Sequence, residues 1–139
     1  MSPPSVLGRC VRTGESDSSD FSENHLLSLP DRFGSLPALT HLKAMNASLA
    51  GPIPQSLLSS SSLTNLNLAS NALIGPVTIT APKLVSLALQ GNKLDTVMMS
   101  GTRLPGLQKV YLGDNAFQSI LPDLSGSRGL TVFDARNNR

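Results

Sequence analysis

The sequence predicts an α/β solenoid, a right-handed superhelix of short coils. A parallel β-sheet lines its concave face, with loops or 3-10 turns on the convex face. Three observations lead there. Apolar segments recur at nearly constant spacing along the 139 residues. Each segment carries alternating apolar residues, followed in four of the five copies by an asparagine at the same place. Charged residues make up 14% of the chain, where about 25% is ordinary, and aromatics only 4%, while leucine fills roughly one position in six.

The first strand-bearing copy is LPALTHLKAMNASLAGPIP, and SSLTNLNLASNALIGPV, PKLVSLALQGNKL, PGLQKVYLGDNAF and RGLTVFDARNN follow. Their anchors, Leu42, Leu66, Leu87, Val110 and Phe133, are 24, 21, 23 and 23 residues apart. That period falls inside the leucine-rich-repeat range of about 20–29 residues. A degenerate earlier copy, SSDFSENHLLSLP, puts Ser19 in the anchor place, 23 residues before Leu42.

Within a copy, LxL is a short strand whose alternate side chains turn inward. Leu66 and Leu68 face the core; Asn65 and Asn67 face out. Asparagine follows where the chain must turn, and its amide can satisfy backbone groups freed by the turn. Asn71, Asn92, Asn115 and Asn138 hold this place and predict a stacked ladder. The first copy has Ala47 there. A second apolar residue, Leu49, Leu73, Leu94 or Phe117, then closes the back of the coil. No coil covers its own apolar face, so neighbours must stack. Serine and glycine runs at 59–62 and 125–129 carry no helix-period stripe, which predicts irregular or 3-10 backbone.

The organisation expected is a disordered leader over 1–18 and a solenoid over 19–139. The N-terminal 20 residues lack the apolar run of a secretory signal. No apolar run is long enough to span a membrane. Neither end shows a polar cap, which predicts a slice of a longer protein or a truncated product, with self-association through bare coil ends.

Composition also excludes function classes. A net charge of +2, with both signs interspersed, gives no nucleic-acid footprint. Cys10 is the single cysteine, so no intrachain disulfide or cysteine zinc site is encoded. His25 and His41 have no carboxylate or cysteine at ligand spacing, and no phosphate-binding glycine loop occurs. The chain is expected to be no enzyme and to need no cofactor or metal.

Binding is left to the outward residues of the strands. In chain order the middle row is Lys43, Asn67, Ala88, Tyr111 and Asp134. Beside it run Met45, Ala69, Gln90, Gly113 and Arg136, then Asn46, Ser70, Gly91, Asp114 and Asn137. Tyr111 is the best anchor, with large area and a hydroxyl at low entropic cost. Lys43, Asn67, Lys109, Asp114, Asp134 and Arg136 complete the candidate site. The competing reading is plain solvated strand surface, because short polar side chains occupy much of this face. Asn46-Ala47-Ser48 is a glycosylation sequon, of use only on a secretory route.

Gly51-Pro52-Ile53-Pro54 and Gly75-Pro76-Val77 are endings typical of plant extracellular leucine-rich repeats. The stretch from Leu36 to Asn138 resembles the ectodomain of the plant transmembrane-kinase (TMK) family of receptor-like kinases. LPALTHLKAMNASLAGPIPQSLL, VSLALQGNKL and LPDLSGSRGLTVFDARNN carry the resemblance. It implies a cell-surface glycoprotein at the plasma membrane, with a membrane helix and a cytosolic Ser/Thr kinase outside this stretch. It also implies a protein or peptide ligand, a co-receptor, and a link to auxin signalling. The alternatives are a truncated solenoid competing for receptor partners, or an intracellular adaptor in the cytoplasm if the chain is complete as written.

Overall fold

A computed structural model describes residues 18–20, 22–23, 28–29, 39–99, 104–118, 124 and 126–138. Residues 1–17 of the expected leader, Cys10 among them, lie outside the described residues, as do His25 and the Pro122-Asp123 turn, while Ser18 belongs to a strand. Six three-residue strands form one parallel sheet: β1 (Ser18–Asp20), β2 (His41–Lys43), β4 (Asn65–Asn67), β6 (Ser86–Ala88), β8 (Lys109–Tyr111) and β9 (Val132–Asp134). Pairing follows the repeat frame. Ser19 stands opposite Leu42, then Leu42 opposite Leu66, Leu87, Val110 and Phe133 in turn.

The core is a stack of inward leucines. Leu42, Leu66, Leu87 and Val110 are buried, as are Leu68, Leu89 and Leu112 two residues on. Leu49, Leu73, Leu94 and Phe117 close the other side. Each buried leucine contributes about 1.5–3 kcal/mol through area removed from water. Phe133, in the same frame, stays 40% exposed, because among the described residues no coil stacks beyond it.

In three of the coils the remainder is more regular than the expected loops and 3-10 turns. β3 (Ala50–Gly51), β5 (Ala72–Ile79) and β7 (Lys93–Met99) form a second parallel sheet. The cause is legible afterwards in the residues. Val77 and Ile79 are buried while Pro76 is exposed, and Val97 and Met99 are buried while Met98 is exposed. That period of two suits a strand. The pairing of β5 and β7 slips by one residue between Gly75 and Pro76. A single-turn helix, α1 (Gln55–Leu58), follows Pro54 and buries Leu57 and Leu58. The serine runs are hydrogen-bonding corners: Ser62 Oγ donates to Leu39 O at 2.7 Å, and Ser127 Oγ to Leu104 O at 2.8 Å.

The asparagines join neighbouring coils. Asn92 Oδ1 accepts from Leu73 N at 3.1 Å, and its Nδ2 donates to Leu68 O and Leu89 O at 3.0 Å each. Asn115 and Asn138 repeat this, taking the N–H groups of Leu94 and Phe117. Asn71 Oδ1 accepts from both Ala47 N and Leu49 N. Ala47 has no amide to reach back a coil, so the first described rung is Asn71.

The residue before each ladder position turns left-handed. Glu23, Asn46, Ser70, Asp114 and Asn137 have φ between 51° and 62°, and Gly91 has φ 74°. At this corner the N–H of Asn46, Ser70, Gly91 and Asp114 donates to a carbonyl of the next coil.

Candidate functional site: the concave face

Strand alternation puts every second residue of the six-stranded sheet on its open side. Register extends the middle row by one member: Asp20, Lys43, Asn67, Ala88, Tyr111, Asp134. With strands about 4.8 Å apart, this row runs roughly 24 Å. Two adjoining grooves lie along it.

The first, about 480 Å³, runs from Asp20 and Lys43 past Asn67 and Ala88 to Tyr111. His41, Asn65 and Ser86, one outward row earlier, form its other wall. The second, about 300 Å³, is lined by Tyr111, Asp114, Asp134, Arg136 and Asn137. Gln90 and Tyr111 line both. Half-buried Tyr111 is therefore the shared wall between them.

Two of the charged candidates, Asp134 and Arg136, are engaged with each other. Arg136 Nε and Nη2 donate to the two carboxylate oxygens of Asp134, at 3.1 and 3.0 Å. The Arg136 backbone N–H adds a third bond to Asp134 Oδ1 at 3.1 Å. These bonds hold the Asp134 carboxyl below its ordinary value and raise the guanidinium, with the Arg136 side chain the leading cause for Asp134. Asn137 Nδ2 donates to Asp114 Oδ1 at 2.8 Å. Asn67 Oδ1 accepts from Ala69 N at 3.2 Å, and Asp20 Oδ1 from Ser22 N at 2.9 Å. The backbone bond from Ser22 is the main cause that lowers the Asp20 carboxyl. Asp20, Asn67 and Asp134 thus repeat one local turn, each holding the N–H two residues on.

Lys43, Asn67, Tyr111, Asp114, Asp134 and Arg136 all border these grooves. Lys109 does not: it is exposed at the start of β8, opposite Ser86 and Val132. Reading the sequence for the middle row alone misses His41, Asn65 and Ser86. The same alternation, stepped back two residues, finds them. Asp20 follows from the degenerate copy's frame. Asn46 is exposed at its left-handed corner and borders neither groove. Among the described residues, no group of three or more His, Cys, Asp or Glu is placed to hold a metal ion. Nor is any helix among them long and apolar enough to cross a membrane.

No protein-family model matches the chain. It is 31% identical over 120 residues to the receptor-like kinase TMK2 of Arabidopsis thaliana, a match taking in 80% of this chain. The chain spans 14% of that relative's length. Its fold is that of the LRR ectodomain of the Arabidopsis receptor kinase SOBIR1, with TM-score 0.71 and 24% identity over 86% of this chain and 68% of that one. The Arabidopsis receptor kinase HAESA, solved with the peptide hormone IDA and the co-receptor SERK1, superposes with TM-score 0.68 and 21% identity over 93% of this chain and 26% of that one. The chain thus matches part of a receptor-like kinase and has the fold of a leucine-rich-repeat ectodomain.

Proposed function

We propose that this chain, a homologue of part of a plant receptor-like kinase with a leucine-rich-repeat ectodomain fold, is a recognition scaffold for a protein or peptide. One observation carries the reading. Two grooves adjoin at Tyr111 and Gln90 and together follow the concave sheet from Asp20 to Asn137. A surface of that length, walled by side chains from successive coils, suits an elongated partner better than a compact small molecule. The relation to a receptor-like kinase, and a structural neighbour solved with a peptide hormone and a co-receptor, support a partner of this class. The finer reading is a place on the extracellular side of the plasma membrane, in auxin-linked signalling, with a glycan at Asn46.

Peptides selected by display against the full chain test this. Binding should fall about tenfold or more for Tyr111→Ala, an anchor-sized loss. It should stay unchanged for Met98→Ser, on the exposed side of the second sheet. Selected peptides that ignore Tyr111→Ala but lose binding to Met98→Ser would move the site off the concave face.

A further inference from the structure

Gln90 follows β6 by two residues and sits between Ala69 and Gly113 of the adjoining coils. Its carbonyl is employed there, accepting from Ser70 N at 2.9 Å and from Asn92 Nδ2 at 3.4 Å. Its side chain is not. Gln90 Oε1 is buried and accepts no hydrogen bond, the one such side-chain atom among the described residues. Nearby amides differ. The oxygens of Asn65, Asn67, Asn71, Asn92 and Asn115 all accept one. A buried acceptor without a donor is costly to the free protein. With Tyr111, Gln90 is also where the two grooves meet.

We infer that Gln90 is a ligand-binding residue of the concave face, pairing through its carboxamide with one backbone amide of an extended polypeptide laid across the strands. The inference rests on the recognition role proposed above. A primary carboxamide offers an acceptor and two donors on one plane. An extended chain presents a matching N–H and C=O at every residue, whatever its sequence. The roughly 24 Å row has room for about seven extended residues. Ala69 and Gly113 are small, so the carboxamide can turn toward the groove without displacing a flanking side chain. The ligand then supplies the donor that the free chain lacks.

The test is a titration of the full 139-residue chain with blocked tri-alanine (N-acetyl, C-methylamide), followed by NMR. The Gln90 side-chain NH₂ and the Tyr111 resonances should shift saturably. Gln90→Met should weaken the apparent affinity by about tenfold. It should also raise the thermal midpoint by about 3 °C, because an apolar side chain of similar length replaces the unsatisfied amide. Concave-face shifts with equal affinity in Gln90→Met would overturn Gln90's role and leave the recognition face standing. No shift on the concave face at tens of millimolar probe would overturn both. A lower thermal midpoint in Gln90→Met would make the amide a structural partner and end the proposal.

Discussion

Arg136 grips Asp134 within a single turn, through two guanidinium bonds at 3.0 and 3.1 Å and a backbone N–H at 3.1 Å. Two charges that a sequence reading offers to a ligand are thereby spent on each other. The second groove is lined by a closed pair, and a partner there meets an ion pair already formed. Tyr111, Gln90 and Lys43 line the grooves outside this pair.

The pair should be visible in a pH titration. The Asp134 carboxyl titrates below its ordinary 3.8 in the folded chain. Its contribution to stability is therefore full above the ordinary carboxylate value and is lost as pH falls through the lower folded one. Asp134 is solvent-facing, so the effect on stability is small and the titration itself is the readout. Arg136→Gln should move the Asp134 carboxyl ¹³C midpoint up toward 3.8. An unchanged midpoint would show that Arg136 is not what lowers it.

The ladder should carry stability. Asn92→Ala leaves Leu73 N–H and the carbonyls of Leu68 and Leu89 without this partner. A loss of about 1–3 kcal/mol is expected, read as a lower urea midpoint with an unchanged slope. A midpoint equal to that of the unmodified chain would show that water replaces the amide without cost.

Equivalent anchors should differ in cost. Leu66→Ala, in the buried stack, should lose about 2–5 kcal/mol. Phe133→Ala occupies the same frame position but starts 40% exposed. Its loss should be well under half that of a fully buried phenylalanine, about 3–5 kcal/mol. Equal losses in paired denaturant melts would mean that Phe133 is covered in solution.

Gly91 is required by its surroundings more than by its angle. Ser70 and Asp114 adopt the same left-handed corner with side chains. A Cβ on Gly91, however, would sit 3.3 Å from Ser70 Cα and N, both backbone atoms. Gly91→Ala should lower stability by about 1–2 kcal/mol, combining strain and crowding. The companion Ser70→Gly should cost less, and a thermal melt ranking them in the opposite order would refute the crowding account.

The chain order alone fixed the coil. A period of 21–24 residues, apolar residues in alternation and an asparagine at four of the five turns leave one way to bury the apolar side chains, which is to stack. The anchor register, the inward stack and the concave rows were all legible because they repeat. The second sheet went unread because β5 and β7 change register at Gly75 and Pro76, which breaks the repeat that would have revealed their alternation. The site was half legible, since periodicity names which residues face outward but not what they touch. Only the folded stack decided that Asp134 and Arg136 neutralise each other, that Lys109 stands outside both grooves, and that Gln90 keeps a buried oxygen without a donor. Facing inward or outward is a property of one coil, whereas a hydrogen-bond partner depends on side chains meeting within a turn and across neighbouring coils.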